Sequence, residues 1–545
     1  MPDPAGHNAD GPATADPATF AMMVAARASD DRIGLVAGGR TWTWRQVAGE
    51  ARRRAELART VRGPGPWHIG LLLENTPEFL FWLLGAASVG ATVVALNPTR
   101  PGPELARDIG FTDCQLIVTD AANADLLDGL PPACPVYRDD DPGYLRMLAG
   151  ADPRPGPIDP AEVSPAAIAS LVFTSGTTGD PKAVICSQGR LAAIATAQRD
   201  RRGLSRDDVF YVAMPMFHSN ALMAGIAPAV LCGGRIVLRP RFSASGFLPD
   251  VRRYGVTYFS YVGKALRYIL ATGEQPDDHD NPLRIAFGNE ANERDIAAFG
   301  RRFGCAVIDS YGTSEGGMYV MRVPGAPPGS LGLASEGTIV VDPETLRECP
   351  PAEFDAGGRL VNPDEAIGEM VNVLGAGQFE GYYKNPAASA AKVRYGWLWS
   401  GDLAYRDRDG YWFFAGRTDD WLRVDGENIA VAPLEQLLLR YEPFALVAVY
   451  AVPDPDAGDQ VMAAVELADG AAFDPGAFGQ FLAAQADLGT KWPPRFVRIV
   501  RSLPMTASNK VLKRQLRAEG VRTSDPVFAR TGRAFHYERL LPGVR

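Results

Sequence analysis

The sequence predicts a large α/β domain followed by a small α+β domain. Three observations carry this reading. Helix and strand patterns alternate through the first four hundred residues, the strands end in small or polar loops, and the pattern changes around Gly416-Arg417-Thr418-Asp419-Asp420. Residues 1–18, rich in Ala, Pro, Asp and Gly, read as a disordered tail without the apolar segment of a signal peptide. A boundary at Asp419 divides the remainder into 19–418 and 419–545.

The elements follow in order. Phe79 to Leu96 runs 18 residues without a charge, long enough to be weighed as a membrane span. Its first part, through Ala87, has helical character, whereas Thr92 to Leu96 is β-branched and ends at Asn97-Pro98. A buried helix running into a buried strand is therefore expected, with no membrane span. Asp152 to Pro160 reads as an ordered surface connection, and Ala167 to Phe173 as a buried strand. Val256–Val262 is expected as a strand, Lys264–Ala271 as a helix, and Arg284–Gly288 as a strand ending in Gly288-Asn289-Glu290. A helix over Glu293–Phe303 precedes a strand over Ala306–Ser310, which ends in Tyr311-Gly312-Thr313-Ser314-Glu315-Gly316-Gly317. Ligands of open α/β sheets sit at such strand ends. The small domain reads as a helix at Leu434–Arg440, strands at Leu446–Val452 and Val461–Leu467, a helix at Pro475–Ala486 and a strand at Arg495–Val500. A basic tail helix from Lys513 closes it.

Bulk properties narrow the function. A net charge of −9 argues against a nucleic-acid partner, whose phosphates demand basic surface. The cysteines at 114, 134, 186, 232, 305 and 349 form no C-x-x-C pair, and the five histidines are dispersed, so no zinc spacing exists. A reducing cytoplasm is the natural compartment.

The most informative run is Thr174-Ser175-Gly176-Thr177-Thr178-Gly179-Asp180-Pro181-Lys182. Glycines let the backbone approach a ligand, successive N–H groups form an anion nest, and the hydroxyls and Lys182 add donors and charge. Holding a nucleotide triphosphate suits this chemistry, although many such turns bind nothing. The run is not a Walker A loop, because Gly179 is followed by Asp180-Pro181 rather than by Lys-Ser/Thr.

Further motifs follow in a fixed order: Met214-Pro215-Met216-Phe217-His218-Ser219-Asn220, Tyr311-Gly312-Thr313-Ser314-Glu315, Ser400-Gly401-Asp402, Gly416-Arg417, Arg423 to Asn428, and Leu503 to Lys510. With these the chain resembles the adenylate-forming superfamily of acyl-CoA synthetases, adenylation domains and luciferases. Within it, PMFHSNAL, VRRYGVTYFSYVGK, GNEA, FEGYY and RVDGEN are most similar to actinobacterial fatty-acid or sterol-side-chain CoA ligases.

The resemblance implies stacked sheets with flanking helices and a mobile small domain. It also implies the roles. Thr174 to Lys182 would cradle the β- and γ-phosphates of ATP, Glu315 would hold Mg²⁺, and Thr313 would bond the α-phosphate. Tyr311, Gly312 and the Gly288-Asn289-Glu290 loop would face adenine, Asp402 the ribose hydroxyls, and Arg417 the ribose and phosphate. Lys510 would bridge the acid carboxylate and the α-phosphate. Asn509 stands where the family usually has glycine. Lys513 and Arg514 are rival cations assigned to a solvated helix face. Phe217, His218, Asn220, Val262, Gly263 and Gly316 would line the acid pocket. A carboxylate is already deprotonated at neutral pH, so His218 is expected to contact the pocket rather than carry a proton. Asp419 matches the hinge. Gly426, Glu427 and Asn428 would line a thiol tunnel, although Gly426 and Glu427 could simply make and cap a turn.

The expected reaction is ATP-dependent activation of a small-molecule acid, fatty or sterol-derived, followed by transfer to CoA. Transfer to an amine or a carrier protein, and activation of nitrite to diazotise an arylamine, use the same adenylating motifs and stay open. So does assembly as a homodimer.

Overall fold

The computed structural model describes residues 16–130, 134–151, 159–174, 182–323, 325–417, 421–424, 427–454, 458–488, 492–505, 511–530 and 534–540. Among these residues the chain builds four sheets. The first orders strands Leu333–Ala334, Tyr319–Met321, Ala306–Gly312, Ile285–Asn289, Tyr258–Val262, Val209–Val212, Arg235–Leu238, Ile33–Ala37 and Arg40–Thr43 side by side, parallel through its centre and antiparallel at both edges. The second orders Val136–Arg138, Cys114–Thr119, His68–Leu72, Thr92–Ala95, Ile168–Thr174 and Lys182–Ser187, with only the last pair antiparallel. Strands His68–Leu72, Thr92–Ala95 and Tyr258–Val262 are buried at every position, as parallel strands covered on both faces must be.

Residues of both sheets share one hydrophobic cluster with the helices between them. Helix Pro77–Ser88 is buried from Phe79 through Ala87, which accounts for its uniform apolarity. No helix among the described residues is long and apolar enough to cross a membrane. Helix Trp44–Thr60 starts at a reciprocal cap between Thr43 and Gln46 and packs against it. Their crossing buries Arg54, whose guanidinium meets Glu50 and Glu78, while Tyr144 receives a 2.7 Å hydrogen bond from Trp82.

The expected helix at Glu293–Phe303 is observed with those bounds, and the neighbouring strands differ by a residue or two at their ends. Alternation, however, stops earlier than residue 400. Thr338–Val341, Gly368–Asn372, Trp397–Arg406, Val393–Arg394 and Trp412–Arg417 form an antiparallel sheet whose connections hold only short helices. Two further corrections concern the ends. Asp16 pairs with Arg199 at 2.9 Å and Thr19 caps the first helix, so residues 16–18 belong to the folded body rather than to a tail. Residues 1–15, and most of the 152–160 connection, lie outside the described residues. The helix Lys513–Glu519 does not close the chain, because Val527–Arg530 and Tyr537–Arg539 add two antiparallel strands to the last sheet. That sheet, built on the long hairpin Phe444–Asp454 and Gly458–Leu467, has its own core around Leu434, Val449 and Phe478.

Gly85 sets the approach of the two helices: a Cβ there would stand 2.3 Å from the Ala51 carbonyl oxygen, which is backbone and cannot swing aside. Gly85→Val should therefore destabilise the large domain by about 2–3 kcal/mol, read as a lowered urea midpoint of its unfolding transition. An unchanged midpoint would contradict this packing.

Candidate active site

Three neighbouring parallel strands, Tyr258–Val262, Ile285–Asn289 and Ala306–Gly312, end together and carry the predicted loops at one edge. Gly288 permits the close fit, since a Cβ there would lie 2.3 Å from the Tyr261 carbonyl oxygen. Glu290 follows in a left-handed conformation, φ 68°. Gly263 N–H donates to Asn289 O at 2.8 Å and Ser310 Oγ to Gly288 O at 3.2 Å, so each strand end is tied to the next.

At one side of this edge stands a group built by register. Asp402 and Arg417 face each other across the antiparallel pair Trp397–Arg406 and Trp412–Arg417, with Arg417 Nε 3.6 Å from Asp402 Oδ1. Tyr311, at the end of its strand, donates its hydroxyl to Asp402 Oδ2 at 2.6 Å and lies tilted on Phe414, ring centroids 6.4 Å apart. Burial, then the Asp402 charge, holds the Tyr311 phenol protonated far above its ordinary range. The group thus offers a buried carboxylate beside a phenol ring.

At the other side sits Glu315. Tyr382 donates its hydroxyl to Glu315 Oε1 at 2.7 Å, and Lys182 Nζ lies 6.0 Å from the centre of the same tyrosine ring. Burial pushes the Glu315 carboxyl up. The Lys392 ammonium and hydrogen bonds from Tyr382 and Thr313 outweigh that and hold it below the usual glutamate range, so it is ionised at neutral pH. Thr174 and Lys182 are paired residues at the base of the predicted phosphate loop, and Thr174 Oγ1 donates to Lys182 O at 3.4 Å. Ser175, Gly176, Thr177, Thr178 and Gly179 lie outside the described residues.

The predicted acid-pocket residues meet between these groups and the sheet. Phe217 and His218 rings are 4.6 Å apart, and His218 N–H donates to Pro215 O at 3.0 Å. Asn220 Nδ2 donates to Tyr261 O at 3.2 Å, while Ser219 and Ser314 hydroxyls lie 2.8 Å apart and join this loop to the Thr313-Ser314-Glu315 turn. Val262 is buried, and Gly316 turns with φ 73° beside Arg190.

In the small domain, Lys510, Asp419 and Gly426 lie outside the described residues. The backbones of Glu427 and Asn428 are strand, opposite Val424 and Arg423 in a tight hairpin. Lys513 corrects an expectation: it is ion-paired with Glu435 at 2.9 Å rather than displayed on a solvated face, whereas Arg514 is exposed.

Four residues escaped the sequence reading. Tyr382 and Lys392 tune Glu315 from 67 and 77 positions away (382 − 315 and 392 − 315). Arg190 donates to Ile185 O at 2.8 Å and Ser314 O at 2.6 Å, clamping the 314 turn to the loop-bearing strand. Lys264, next to Gly263, buries its ammonium without a hydrogen bond. Burial lowers its pKa to about 8 against the raising fields of Glu435, Glu466 and Glu290. Tyr382 and Lys264 stand in the quoted runs FEGYY and VRRYGVTYFSYVGK without an assigned role, whereas Arg190 and Lys392 gave no signal.

No group of three or more His, Cys, Asp or Glu side chains that could hold a metal alone occurs among the described residues. One ionised carboxylate, Glu315, fits a Mg²⁺ that takes its remaining ligands from phosphate and water.

The AMP-binding enzyme family model matches residues 23–383, and the AMP-binding enzyme C-terminal domain model matches 433–510. The chain is 52% identical over 519 residues to a steroid-22-oyl-CoA synthetase of Rhodococcus jostii, covering 94% of this chain and 93% of that one. It is 48% identical to the medium/long-chain-fatty-acid–CoA ligase FadD17 of Mycobacterium marinum, over 94% and 99% of the two chains. Its fold matches a solved anthranilate CoA ligase, AuaEII, with TM-score 0.80 at 21% identity over 92% and 97% of the two chains. The ordered motifs, the strand-edge site and these likenesses agree: the chain belongs to the AMP-binding enzymes of the adenylate-forming superfamily, among the actinobacterial acyl-CoA synthetases.

Proposed function

We propose that this enzyme joins a largely apolar carboxylic acid, a fatty acid or a sterol side-chain acid, to CoA in two half-reactions at one site. The convergence of ionised Glu315, Lys182 and the Tyr311–Asp402–Arg417 group on one strand edge supports the reading. The acid carboxylate attacks the α-phosphorus of ATP, expels diphosphate and gives an acyl-adenylate. CoA sulfur then attacks the acyl carbon and AMP leaves.

Both partners in the first step are anions, so the protein's task is to cancel charge where it gathers. Asp402 accepts hydrogen bonds from the ribose hydroxyls, and Tyr311 and the Gly288–Glu290 loop border the adenine. Thr174 to Lys182 hold the outer phosphates, and Thr313 the α-phosphate. Mg²⁺, held by Glu315, would supply charge neutralisation across the phosphate oxygens. Lys510 bridges the carboxylate and the α-phosphate during adenylation. In this reading the lobes divide at Asp419, and rotation there carries Lys510 away and turns Gly426, Glu427 and Asn428 toward the thiol path. The scattered cysteines, all free, suit a cytoplasmic enzyme.

Lys510→Ala should lower acid-dependent diphosphate release by about 10²–10³-fold with ATP binding nearly unchanged. Preserved release would refute the bridging role. Tyr311→Phe removes one donor from buried Asp402 and should weaken ATP binding about tenfold in calorimetry, with no change in KM for the acid. AMP release with carboxylic acids plus CoA, compared with nitrite plus an arylamine, tests the reaction itself. Turnover of nitrite alone would overturn it.

A further inference from the structure

The helix Ala265–Leu270 looks two ways. Ala265, Leu266 and Ile269 are buried in the core of the large domain, which fixes the helix to the strand it follows. Lys264 and Tyr268, four positions apart and so on one side, face the small domain, since both feel the Glu466 carboxylate.

The Lys264 ammonium is the odd group in this junction. Its nitrogen is buried and makes no hydrogen bond among the described residues. Opposite it, Glu435 on helix Val431–Leu438 bonds Lys513 at 2.9 Å and the Val449 N–H at 2.8 Å. Glu466 on strand Gly458–Leu467 accepts the Leu503 N–H at 3.2 Å. Glu290 adds a carboxylate field from the large domain, and Lys513, which opens helix Lys513–Glu519, adds a repelling ammonium. Burial outweighs the three carboxylates, so the closed junction disfavours the charged form. A methionine would fill nearly the same length without that penalty, and replacing buried ionic groups by apolar ones is often stabilising.

We infer that Lys264 is a positioning residue that weakens the closed arrangement of the two lobes, so that the small domain parts from the acid-pocket edge between the half-reactions. The inference rests on the ligase reading above, in which Lys513 stands three positions after the bridging Lys510 and Lys264 directly follows Gly263 of the acid pocket. The closed arrangement is then the adenylating one, and thiol transfer needs its release. Closure also depends on pH. In the closed junction burial lowers the Lys264 pKa from 10.5 to about 8, and parting returns the ammonium to water and its ordinary value. Between those values the closed form binds fewer protons, so raising the pH strengthens closure, whereas below about 8 the penalty is constant.

Hydrogen exchange of the Ala265–Leu270 amides, corrected for the intrinsic effect of pH, reads closure. In the parent protein their protection should rise about tenfold from about pH 7 to about pH 9. Lys264→Met should hold the high protection at both pH values. In single turnover at about pH 7 it should pass preformed acyl-adenylate to CoA about tenfold more slowly, with acid-dependent ATP–diphosphate exchange at least as fast as the parent's. Protection that ignores pH in the parent, or a methionine variant that closes less or transfers at the parent rate, overturns the inference. The amide measurement needs no turnover. Failure of the parent to form AMP from any acid and CoA, with the pH-dependent protection present, overturns the ligase reading while the effect of Lys264 on closure stands.

Discussion

The 2.7 Å hydrogen bond from Tyr382 to Glu315 is the joint on which the site depends. The backbone of Tyr382 bridges Val184, and Tyr383 N–H donates to Ala183 O at 2.9 Å, so this segment is laid along the strand that begins with Lys182. Its hydroxyl reaches the turn that follows Ala306–Gly312, the outermost strand of the parallel run in the other sheet. One side chain therefore fixes the strand that begins with Lys182 against the carboxylate. Arg190 repeats the connection from the helix side by bonding the backbone of both segments. Two sheets that could pack in many relative positions are thereby held in the one that lets charged groups converge.

The charges themselves are held by opposite means. Burial pushes the Glu315 carboxyl up, and the Lys392 field, the Tyr382 and Thr313 hydroxyls and a backbone N–H together hold it below the usual glutamate range. Asp402 sits buried in the middle of its strand, where a phenol donates to one oxygen and an arginine stands beside the other. Each carboxylate is stabilised by groups outside its own motif. The motif supplies the functional atom, and the surrounding sheet sets its charge state.

This division explains what could be read in the chain. Local strings were legible: the Glu293–Phe303 helix has clear periodicity and an asparagine cap, and the 311–316 turn announces itself by its glycines and hydroxyls. Contacts between distant segments were not, because nothing in the sequence near Glu315 points to Tyr382 or Lys392. The antiparallel sheet after Thr338 was missed for a related reason. Its strands are joined by Gly- and Pro-rich connections, and their arrangement rests on pairing between distant segments, such as Val371 with Trp399, which no local string specifies. Val527–Arg530 likewise becomes a strand because Phe528 pairs with Val497 at the edge of an existing sheet.

The junction of the lobes obeys a different economy. Lys264 lies two residues beyond strand Tyr258–Val262 of the large domain, and from the small domain it feels the carboxylate fields of Glu435 and Glu466, opposed by the Lys513 ammonium. Glu435 is already committed, to Lys513 at 2.9 Å and to the Val449 N–H at 2.8 Å, and Glu466 accepts from Leu503 N–H at 3.2 Å. Lys264 is thus attracted by charges across the junction without a hydrogen bond to any of them. Parting the two leaves no carboxylate newly orphaned, because each keeps its partner within the small domain, and it relieves the burial that outweighs those fields at Lys264. A direct buried ion pair would strand both members and resist parting far more strongly. A contact of this kind, in which burial outweighs attraction at the ammonium, opposes separation only weakly, as the proposed use of one site in two steps would ask.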